Sequence, residues 1–526
     1  MTAIPERSSR EWATQVAHLE QQIPVRTAKV EWYESQLRLA VQRRFAASAE
    51  RSDVQPWQLF NEAEAEATQP IGPATETLTD ERKKRMAGQR DAQLKHLPVE
   101  RRVYRLPDAE QSCDSCHGPL HVMSSEVRRE LEIIPAQVKV IEHEQLVYSC
   151  RQCEREALTT PIKTAPMPRP VYPGSLASPS LLAEVLHQKF TESLPLYRQE
   201  QEWARLGVPL SRQTLANWVI YAAHEWFQPL YTQLQRALWR RDILQADETT
   251  VQVLHEDGRA AQQKSYMWLY RTGSETPAIV LYDYQPSRSG DHPKAFLAGF
   301  RGYLQVDGYS GYHDIPDVVL VGCWSHARRK FMEALKSLPA AQRDGPHLVR
   351  DGLEFCNQLF AIERDLRNAS PEERQRARRA RSRPVLARFL WWLRAQRQIV
   401  LPKSGLGQAV SYCLNQWDAL TNFLRDGRLA IDNNRSERSI KPFVIGRKNW
   451  QFANTARGAR ASAIIYSIVE TAKENGLNPR AYLQYVLEQL PQRNLKDPTI
   501  WDDLWPWSPA LPDSLKAPRR HPVSDR

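Results

Sequence analysis

Apolar residues recur at two different spacings along this chain, and the change of spacing divides it into regions. After about residue 180 they return every three or four positions, which predicts helices over Leu181–Phe190, Leu196–Leu206 and Ser211–Trp226. Ser211 is a residue type that caps helix N-termini, and the short connection at Gly207 permits a helix-turn-helix. The alternative is a helix that only packs against the region that follows.

Short apolar runs rich in β-branched and aromatic residues replace this pattern from about residue 241. Five such runs predict strands, and a helix from His292 to Phe300 separates the third from the fourth. The runs are Ile243–Asp247, Tyr266–Tyr270, Ala278–Tyr282, Tyr303–Val306 and Val318–Val321. Three consecutive strands, a helix and then further strands predict a mixed α/β sheet whose strand ends can present carboxylates.

Two further helical regions follow the predicted sheet. Residues from about 327 to 425 are rich in Arg, Leu and Trp and predict almost continuous helix, as does a segment from about 459 to 490 that breaks between Gly476 and Pro479. No strand is expected between these regions. Upstream, six prolines between residues 161 and 180 predict a stiff, extended linker.

The first hundred residues carry a weaker pattern. Val16 and Leu19 lie at helical spacing and the pattern resumes after Pro24, which predicts a helical hairpin or zipper-like segment over 1–60. Two amphipathic helices packed on the rest of the protein explain the spacing equally well, because the heptads are few. Residues 61–105 lose the periodicity and turn from acidic to basic, which predicts a mobile linker.

Composition indicates a soluble protein of several domains with an anionic partner. A chain of 526 residues exceeds one ordinary core, so we expect three or four units. Its 72 Lys and Arg against 61 Asp and Glu give a charge of +11, which favours nucleic acid, although a generic basic surface explains the total equally well. The arginine excess over 364–397 raises the case for DNA. No apolar run approaches the roughly 20 residues that cross a bilayer, so we expect a cytoplasmic protein without membrane contact.

Four of the seven cysteines form two Cys-x-x-Cys pairs. Two such pairs can supply four thiolates to one Zn²⁺ ion, which predicts a small zinc-binding module over 106–160. The ligands would be Cys113, Cys116, Cys150 and Cys153. The alternatives are unrelated reduced pairs, or a site in which His117, His121 or His143 replaces a thiolate. A closed four-thiolate site has no open position for catalysis.

Two aspartates follow apolar runs of similar sequence, Leu-Gln-Ala-Asp at Asp247 and Leu-Gln-Val-Asp at Asp307. A carboxylate in such a place is costly unless it has a partner or a metal. With Glu437, which would project from the first turn of a later helix, they could hold two Mg²⁺ or Mn²⁺ ions for phosphoryl transfer. The alternative is that all three are ordinary solvated acids, since the chain has 61.

Cationic side chains accompany these acids. The candidates for phosphate contacts are Arg328, Arg329, Lys330, Arg435, Arg438, Arg447 and Lys448, with Arg212 on the possible groove-reading helix. Solvated charges on capped surface helices explain the same residues. Cys323 and His326 precede the first of these cations, but one Cys and one His are an incomplete metal set, so we expect His326 to be structural or part of the active site.

These blocks, in this order, resemble the transposases of the insertion sequence 66 family. The matching residues are Gln245–Thr249, Tyr284–His292, Gly302–Tyr309, Cys323–Phe331 and Ile431–Trp450. The resemblance is dense over roughly residues 105–490. It implies an α/β protein in which an RNase H-like catalytic domain is interrupted by an all-α insertion.

The resemblance also implies a function and a mechanism. It identifies Asp247, Asp307 and Glu437 as a DDE triad and the four paired cysteines as a zinc-binding unit. A metal-activated water would cut the phosphodiester at an element end, and the freed 3′ hydroxyl would then attack target DNA, without a covalent protein intermediate.

The expected organisation combines the pattern and the resemblance. The segments are 1–60 helical and zipper-like, 61–105 basic linker, 106–160 zinc module, 161–180 proline-rich linker, 181–240 helical with a possible helix-turn-helix, 241–335 and 426–490 the two parts of the catalytic domain, 336–425 the helical insertion, and 491–526 a C-terminal tail.

The partners follow from this function. We expect double-stranded DNA (terminal repeats and target), a homo-oligomer on DNA, small accessory proteins of the same element, and a nucleoid location in a bacterial cytoplasm. Two rivals remain, a structure-specific nuclease that cuts without joining and an inactive or domesticated DNA-binding protein. The presence of all three acids argues against the second.

Overall fold

A computed structural model describes residues 137–149, 162–339 and 347–518. The expected zipper-like segment, the basic linker and the four paired cysteines lie outside these residues. The chain divides into two compact units, 48–142 and the remainder. Of the smaller unit, residues 137–142 are described and have no regular secondary structure. The elements below belong to the larger unit.

A two-stranded ribbon and the proline-rich segment precede the main fold. Strand β1 (Val147–Ser149) pairs antiparallel with β2 (Ile162–Thr164). The prolines prevent regular structure in the residues that follow. Trp226 nevertheless donates from Nε1 to the carbonyl oxygen of Val171 at 2.8 Å. The segment expected to be a linker is therefore packed on the helices beyond it.

Four helices lie between this segment and the sheet. They are α1 (Pro179–Phe190), α2 (Leu196–Arg205), α3 (Arg212–Ala222) and α4 (Gln228–Trp239). The predicted cap is present, since Ser211 Oγ accepts from the backbone N–H of Thr214 at 3.1 Å. A π-helical turn over Ala223–Phe227 joins α3 to α4, so the last predicted helix continues further than its sequence pattern indicated.

The sheet contains the five predicted strands. They are β3 (Ile243–His255), β4 (Lys264–Thr272), β5 (Val280–Gln285), β6 (Gly302–Gln305) and β7 (Val318–Val321), with helix α5 (Asp291–Phe296) between β5 and β6. The order is β5-β4-β3-β6-β7, antiparallel from β5 to β3 and parallel from β3 to β7. The mixed sheet expected from the sequence is confirmed. Residues 243–246 of the central strand are fully buried, as expected for a strand covered on both faces.

A hydrophobic cluster separate from the core around the sheet forms among the helices that follow the sheet. These are α6 (Trp324–Ser337), α7 (Leu348–Asp365), α8 (Pro371–Ala377), α9 (Arg383–Ile399), α10 (Gly405–Asn415) and α11 (Trp417–Thr421). Phe331 and Phe389 are fully buried in it. Arg378 is also buried, where its guanidinium donates to Glu363 at 2.7 Å. Part of the arginine excess in this region is therefore structural.

The final described elements return to the sheet. Helix α12 (Asn434–Trp450) is followed by strand β8 (Ala453–Thr455), α13 (Ala456–Glu474) and α14 (Pro479–Gln489). Thr471 of α13 donates from Oγ1 to the carbonyl oxygen of Val280 at 2.9 Å, which fixes α13 on β5. The predicted break is confirmed, because Gly476 takes a φ of 76° between α13 and α14.

One expectation about this region was wrong. No strand was predicted before the last helices, yet β8 pairs parallel with the outer half of β3, with Ala453 opposite Val253. A three-residue strand of Ala, Asn and Thr has no apolar alternation, and it forms because the chain leaving α12 meets an open edge of β3.

None of the described helices is long and apolar enough to span a membrane.

Candidate active site

Asp247 and Asp307 each follow one of two glutamines that lie opposite each other on neighbouring strands. Strands β3 and β6 run parallel with Gln245 opposite Gln305, and each aspartate lies two residues further along. Gln245 Nε2 donates to Gln305 Oε1 at 3.0 Å, and both glutamines are buried. Because side chains two residues apart point to the same face, the two carboxylates emerge side by side at this end of the sheet.

The carboxyl group of Asp247 is in an unfavourable place for a charge. Desolvation raises its pKa well above the ordinary value, and the carboxylates of Glu248, Asp307 and Glu437 raise it further. A hydrogen bond from the backbone N–H of Glu248 at 2.9 Å acts in the opposite direction. The three predicted acids are therefore within electrostatic range of one another, and their combined ionisation requires positive charge nearby.

Glu437 lies in the first turn of α12, as the sequence predicts. Asn433, immediately before the helix, is 1% exposed and donates its side-chain amide to the carbonyl oxygen of Ala246 at 2.8 Å. Asp247 is the next residue of β3. The buried amide therefore sets the start of α12, and with it Glu437, relative to the strand that carries Asp247.

The carboxylate of Glu437 faces the first turn of α6. Oε1 lies 3.8 Å from His326 Nδ1, and Oε2 lies 3.9 Å from Arg329 Nη2. Cys323 Sγ completes a group of three ligand atoms that all lie within 4.8 Å of one another. Sequence analysis treated Cys323 and His326 as an incomplete metal set, and the structure adds Glu437 to them. The carboxylates of Asp247 and Asp307 are not part of this group.

Sequence analysis missed a network of side chains around the buried carboxylate of Glu248, the residue after Asp247. Glu248 is 3% exposed and accepts from Tyr312 Oη at 2.6 Å and from Arg288 Nη2 at 2.5 Å. The guanidinium of Arg288 lies 3.9 Å from the ring centroid of Tyr309, whose backbone N–H donates to Asp307 Oδ1 at 2.9 Å. Arg288 is 43% exposed and belongs to the block 284–292, which matches the family but for which the sequence predicts no role.

The predicted cationic residues divide into exposed and internally bonded side chains. The exposed ones are Arg212, Arg329, Arg438 and Lys448. The others have partners within the protein: Arg328 donates to Asn357 at 2.9 Å, Arg435 to Gly273 at 2.8 Å, Arg447 to Thr249 at 3.2 Å, and Lys330 lies 4.0 Å from Glu333. The exposed side chains have charge available to a polyanion, although Arg329 shares its charge with Glu437 at 3.9 Å. The hydrogen bonds of Arg328, Arg435 and Arg447 also stabilise the fold, whereas the Lys330 pair, with side chains 42% and 59% exposed, contributes little.

A polar cavity of about 230 Å³ adjoins the glutamine pair. Its lining includes Gln245, Gln305, Arg435, Arg438 and Asp432. Its lining therefore comes both from the two strands that precede the aspartates and from the beginning of α12. Its cationic side would suit an anionic group.

Helix α3 presents two different faces. Leu215 and Trp218 are buried, whereas Arg212, Gln213 and Asn217 are exposed. Both interpretations of this helix, packing and groove reading, are compatible with that division.

Four family profiles match the chain. The profile described as "Transposase IS66 family" covers residues 174–461, and "zinc-finger binding domain of transposase IS66" covers residues 110–154. The profile "IS66 C-terminal element" covers residues 467–507, and "Transposase C of IS166 homeodomain" covers residues 32–102. Together they include the candidate active site, the paired cysteines and the N-terminal segment.

Curated relatives match over three quarters of the chain. "Uncharacterized protein y4jD" of Sinorhizobium fredii (strain NBRC 101917 / NGR234) is 32% identical over 410 residues, 75% of this chain and 77% of the relative. "Uncharacterized protein y4hP" of the same strain is 31% identical over 415 residues, 75% of this chain and 73% of the relative. The similarity is therefore not confined to one domain.

Proposed function

Because the chain belongs to the IS66 transposase family, we propose that it cuts DNA at the ends of an insertion sequence and joins the freed strand to target DNA. The main support for the proposal is that the Asp247 carboxyl group interacts electrostatically with both Asp307 and Glu437. We assign the sheet to an RNase H-like catalytic domain that resumes at α12, and the helices within 336–425 to an all-α insertion.

The cofactors of this reaction are two Mg²⁺ or Mn²⁺ ions, and the acids fit them. Carboxylate oxygens suit hard divalent cations. The desolvated Asp247 carboxyl, surrounded by other acids, is stable as an anion only beside positive charge. Asp247, Asp307 and Glu437 would hold the ions, which when bound neutralise charge on the phosphodiester and activate the attacking oxygen.

The protein's own residues contribute to the reaction by holding the three acids in position. The Gln245–Gln305 amide pair holds β3 and β6 in register, and Asn433 holds the start of α12 against β3. In-line displacement depends on such alignment, because small errors in the position of the reacting groups cost large factors in rate.

The exposed cations supply a track for the DNA backbone. Arg329 lies 3.9 Å from Glu437, Arg438 is the next residue of α12, and Arg288, 43% exposed, interacts electrostatically with Asp307. Arginine binds phosphate through paired N–H groups. We assign these three residues to phosphates near the scissile bond, and Arg212 on α3 to the major groove of the element end.

The remaining modules complete a DNA-end complex. Cys113, Cys116, Cys150 and Cys153 bind one structural zinc ion in a DNA-recognition module, consistent with the profile over residues 110–154. Transposition brings two DNA ends together, so the protein acts as a homo-oligomer on DNA, with small accessory proteins of the same element. It works at the bacterial nucleoid.

A strand-transfer assay tests this function. Labelled element-end DNA is incubated with the full chain, Mg²⁺ and unlabelled target DNA. A 3′ nick together with a joined product supports the transposase, whereas nicking alone supports a nuclease. Binding without either product, once accessory proteins have been added, supports a DNA-binding protein.

A further inference from the structure

Three potential metal ligands from two distant segments meet beside the proposed catalytic site. Cys323 precedes α6, His326 lies in its first turn and Glu437 lies in the first turn of α12. Their ligand atoms all lie within 4.8 Å of one another. A thiolate, an imidazole and a carboxylate are a donor set that zinc accepts and that magnesium does not, because magnesium prefers oxygen ligands.

Cys323 differs from the other buried cysteines of the described residues. Cys356 and Cys413 belong to the hydrophobic cluster of the helical region, whereas Cys323 lies outside that cluster and outside the hydrophobic core around the sheet. Its Sγ accepts hydrogen bonds from the backbone N–H of His326 and of Asn433, the latter at 3.3 Å. These two hydrogen bonds hold the sulfur at the starts of α6 and α12, beside the other two ligand atoms.

Two of the three ligand atoms face each other without a hydrogen bond. His326 Nδ1 and Glu437 Oε1 are buried atoms 3.8 Å apart, and neither has a hydrogen-bond partner among the described residues. Buried polar atoms of this kind cost free energy unless something satisfies them. A cation between them would satisfy both atoms at once, since two bonds of about 2.0–2.2 Å can span the 3.8 Å that separates them.

We propose that Cys323, His326 and Glu437 form a binding site for a zinc-class divalent cation, separate from the zinc of the paired cysteines. Three protein ligands leave a fourth position for water. Zinc bound here occupies the carboxylate that the proposed catalytic site needs, so it inhibits magnesium-dependent cleavage. This consequence, unlike the binding itself, rests on the proposed function.

The test measures zinc per chain on the full protein without DNA. The protein is stripped with a chelator, equilibrated at fixed free zinc in a metal buffer and analysed by plasma emission. Wild type is expected to hold one more zinc ion per chain than Cys323→Ser, and Cys356→Ser, which changes an equally buried thiol, is expected to match wild type. Equal zinc content in wild type and Cys323→Ser would overturn the proposal.

Two further variants test the site even if Cys323→Ser, which changes a buried thiol, fails to fold. His326 and Glu437 are both partly exposed, so His326→Ala and Glu437→Gln leave the core intact, and circular dichroism verifies their fold. Each is expected to weaken binding of the additional zinc ion by more than about 100-fold, beyond the 10–100-fold usual for residues that only support a ligand. Unchanged affinity in both variants would overturn the site even if the protein proves to be an active transposase. An inactive protein that loses one zinc ion in these variants would retain the site and lose the proposed function.

Discussion

The side-chain amide of Asn433 donates to the carbonyl oxygen of Ala246, although the two residues lie 187 positions apart in the sequence. The bond is therefore a tertiary contact between the sheet and α12. It links the beginning of α12 to the strand that carries Asp247, so the third acid depends on it for its position.

Asn433→Ala is therefore expected to act on both stability and cleavage. It leaves a buried carbonyl oxygen unpaired, which should lower the free energy of unfolding by about 1–3 kcal/mol in urea titrations. DNA cleavage should fall more than DNA binding, because Glu437 loses its anchor. Asn434→Ala is the control, since the side-chain amide of Asn434 donates to neighbouring Asp432 rather than to β3. Equal losses of cleavage in both variants would contradict the positioning role.

The Glu248–Arg288 pair should be energetically coupled. Arg288→Ala leaves the carboxylate of Glu248, 3% exposed, without its cation and should destabilise the protein by about 2 kcal/mol, a value kept low because Arg288 is partly exposed. Adding Glu248→Gln removes the unpaired charge and should restore part of that loss. A double-mutant cycle from thermal unfolding measures the coupling, and strictly additive effects would mean that the pair contributes nothing.

The stability of the sheet should depend on pH through Asp283 of β5. Burial raises the pKa of Asp283 from 3.8 to about 6. The unfolded chain ionises first, so the contribution to stability is complete below about pH 4 and is lost as the pH rises through 6. Asp283→Asn should therefore be more stable than wild type by about 1–3 kcal/mol at pH 8, with a smaller difference at pH 4.5. Melting curves at both pH values check this, and an equal difference at the two would contradict it.

Two arginines of α12 should give opposite phenotypes. Arg438 is exposed, so Arg438→Ala should weaken DNA binding and reduce the slope of log affinity against log salt by about one, with little change in melting temperature. Arg447 donates to Thr249 and to Thr250, so Arg447→Ala should lower the melting temperature first. Fluorescence anisotropy over a salt series and calorimetry separate the two. A stable Arg447→Ala protein with the same loss of salt dependence would mean that both residues contact phosphate.

The sequence predicted the elements that have a strong local signal. Apolar runs located all five strands of the β3–β7 path, and Ser211 and Gly476 marked helix ends, because these features depend on neighbouring residues. Strand β8 had no such signal, since its three residues become a strand only by pairing with β3.

The candidate site was predictable only in part for the same reason. Asp247 and Asp307 were recognisable because each follows an apolar run. The contact of Glu248 with Arg288, 40 residues away, and the approach of Cys323 and His326 to Glu437 depend on the tertiary fold. The roles of Arg328 and Arg447 were equally hidden, because a basic residue has the same sequence pattern whether it faces DNA or a neighbouring helix.

Cleavage and strand transfer by acid variants, compared at matched DNA binding, test whether the three carboxylates form the catalytic set. Wild type, Asp247→Asn, Asp307→Asn and Glu437→Gln are assayed with Mg²⁺ or Mn²⁺ and with chelator, and Asp314→Asn, which changes an exposed aspartate near Asp307, is the control. We expect metal-dependent nicking and joining in wild type and in the control, and a loss of more than about 1,000-fold in each of the other three. Activity within tenfold of wild type in any one of those three would mean that its carboxylate does not belong to the catalytic set.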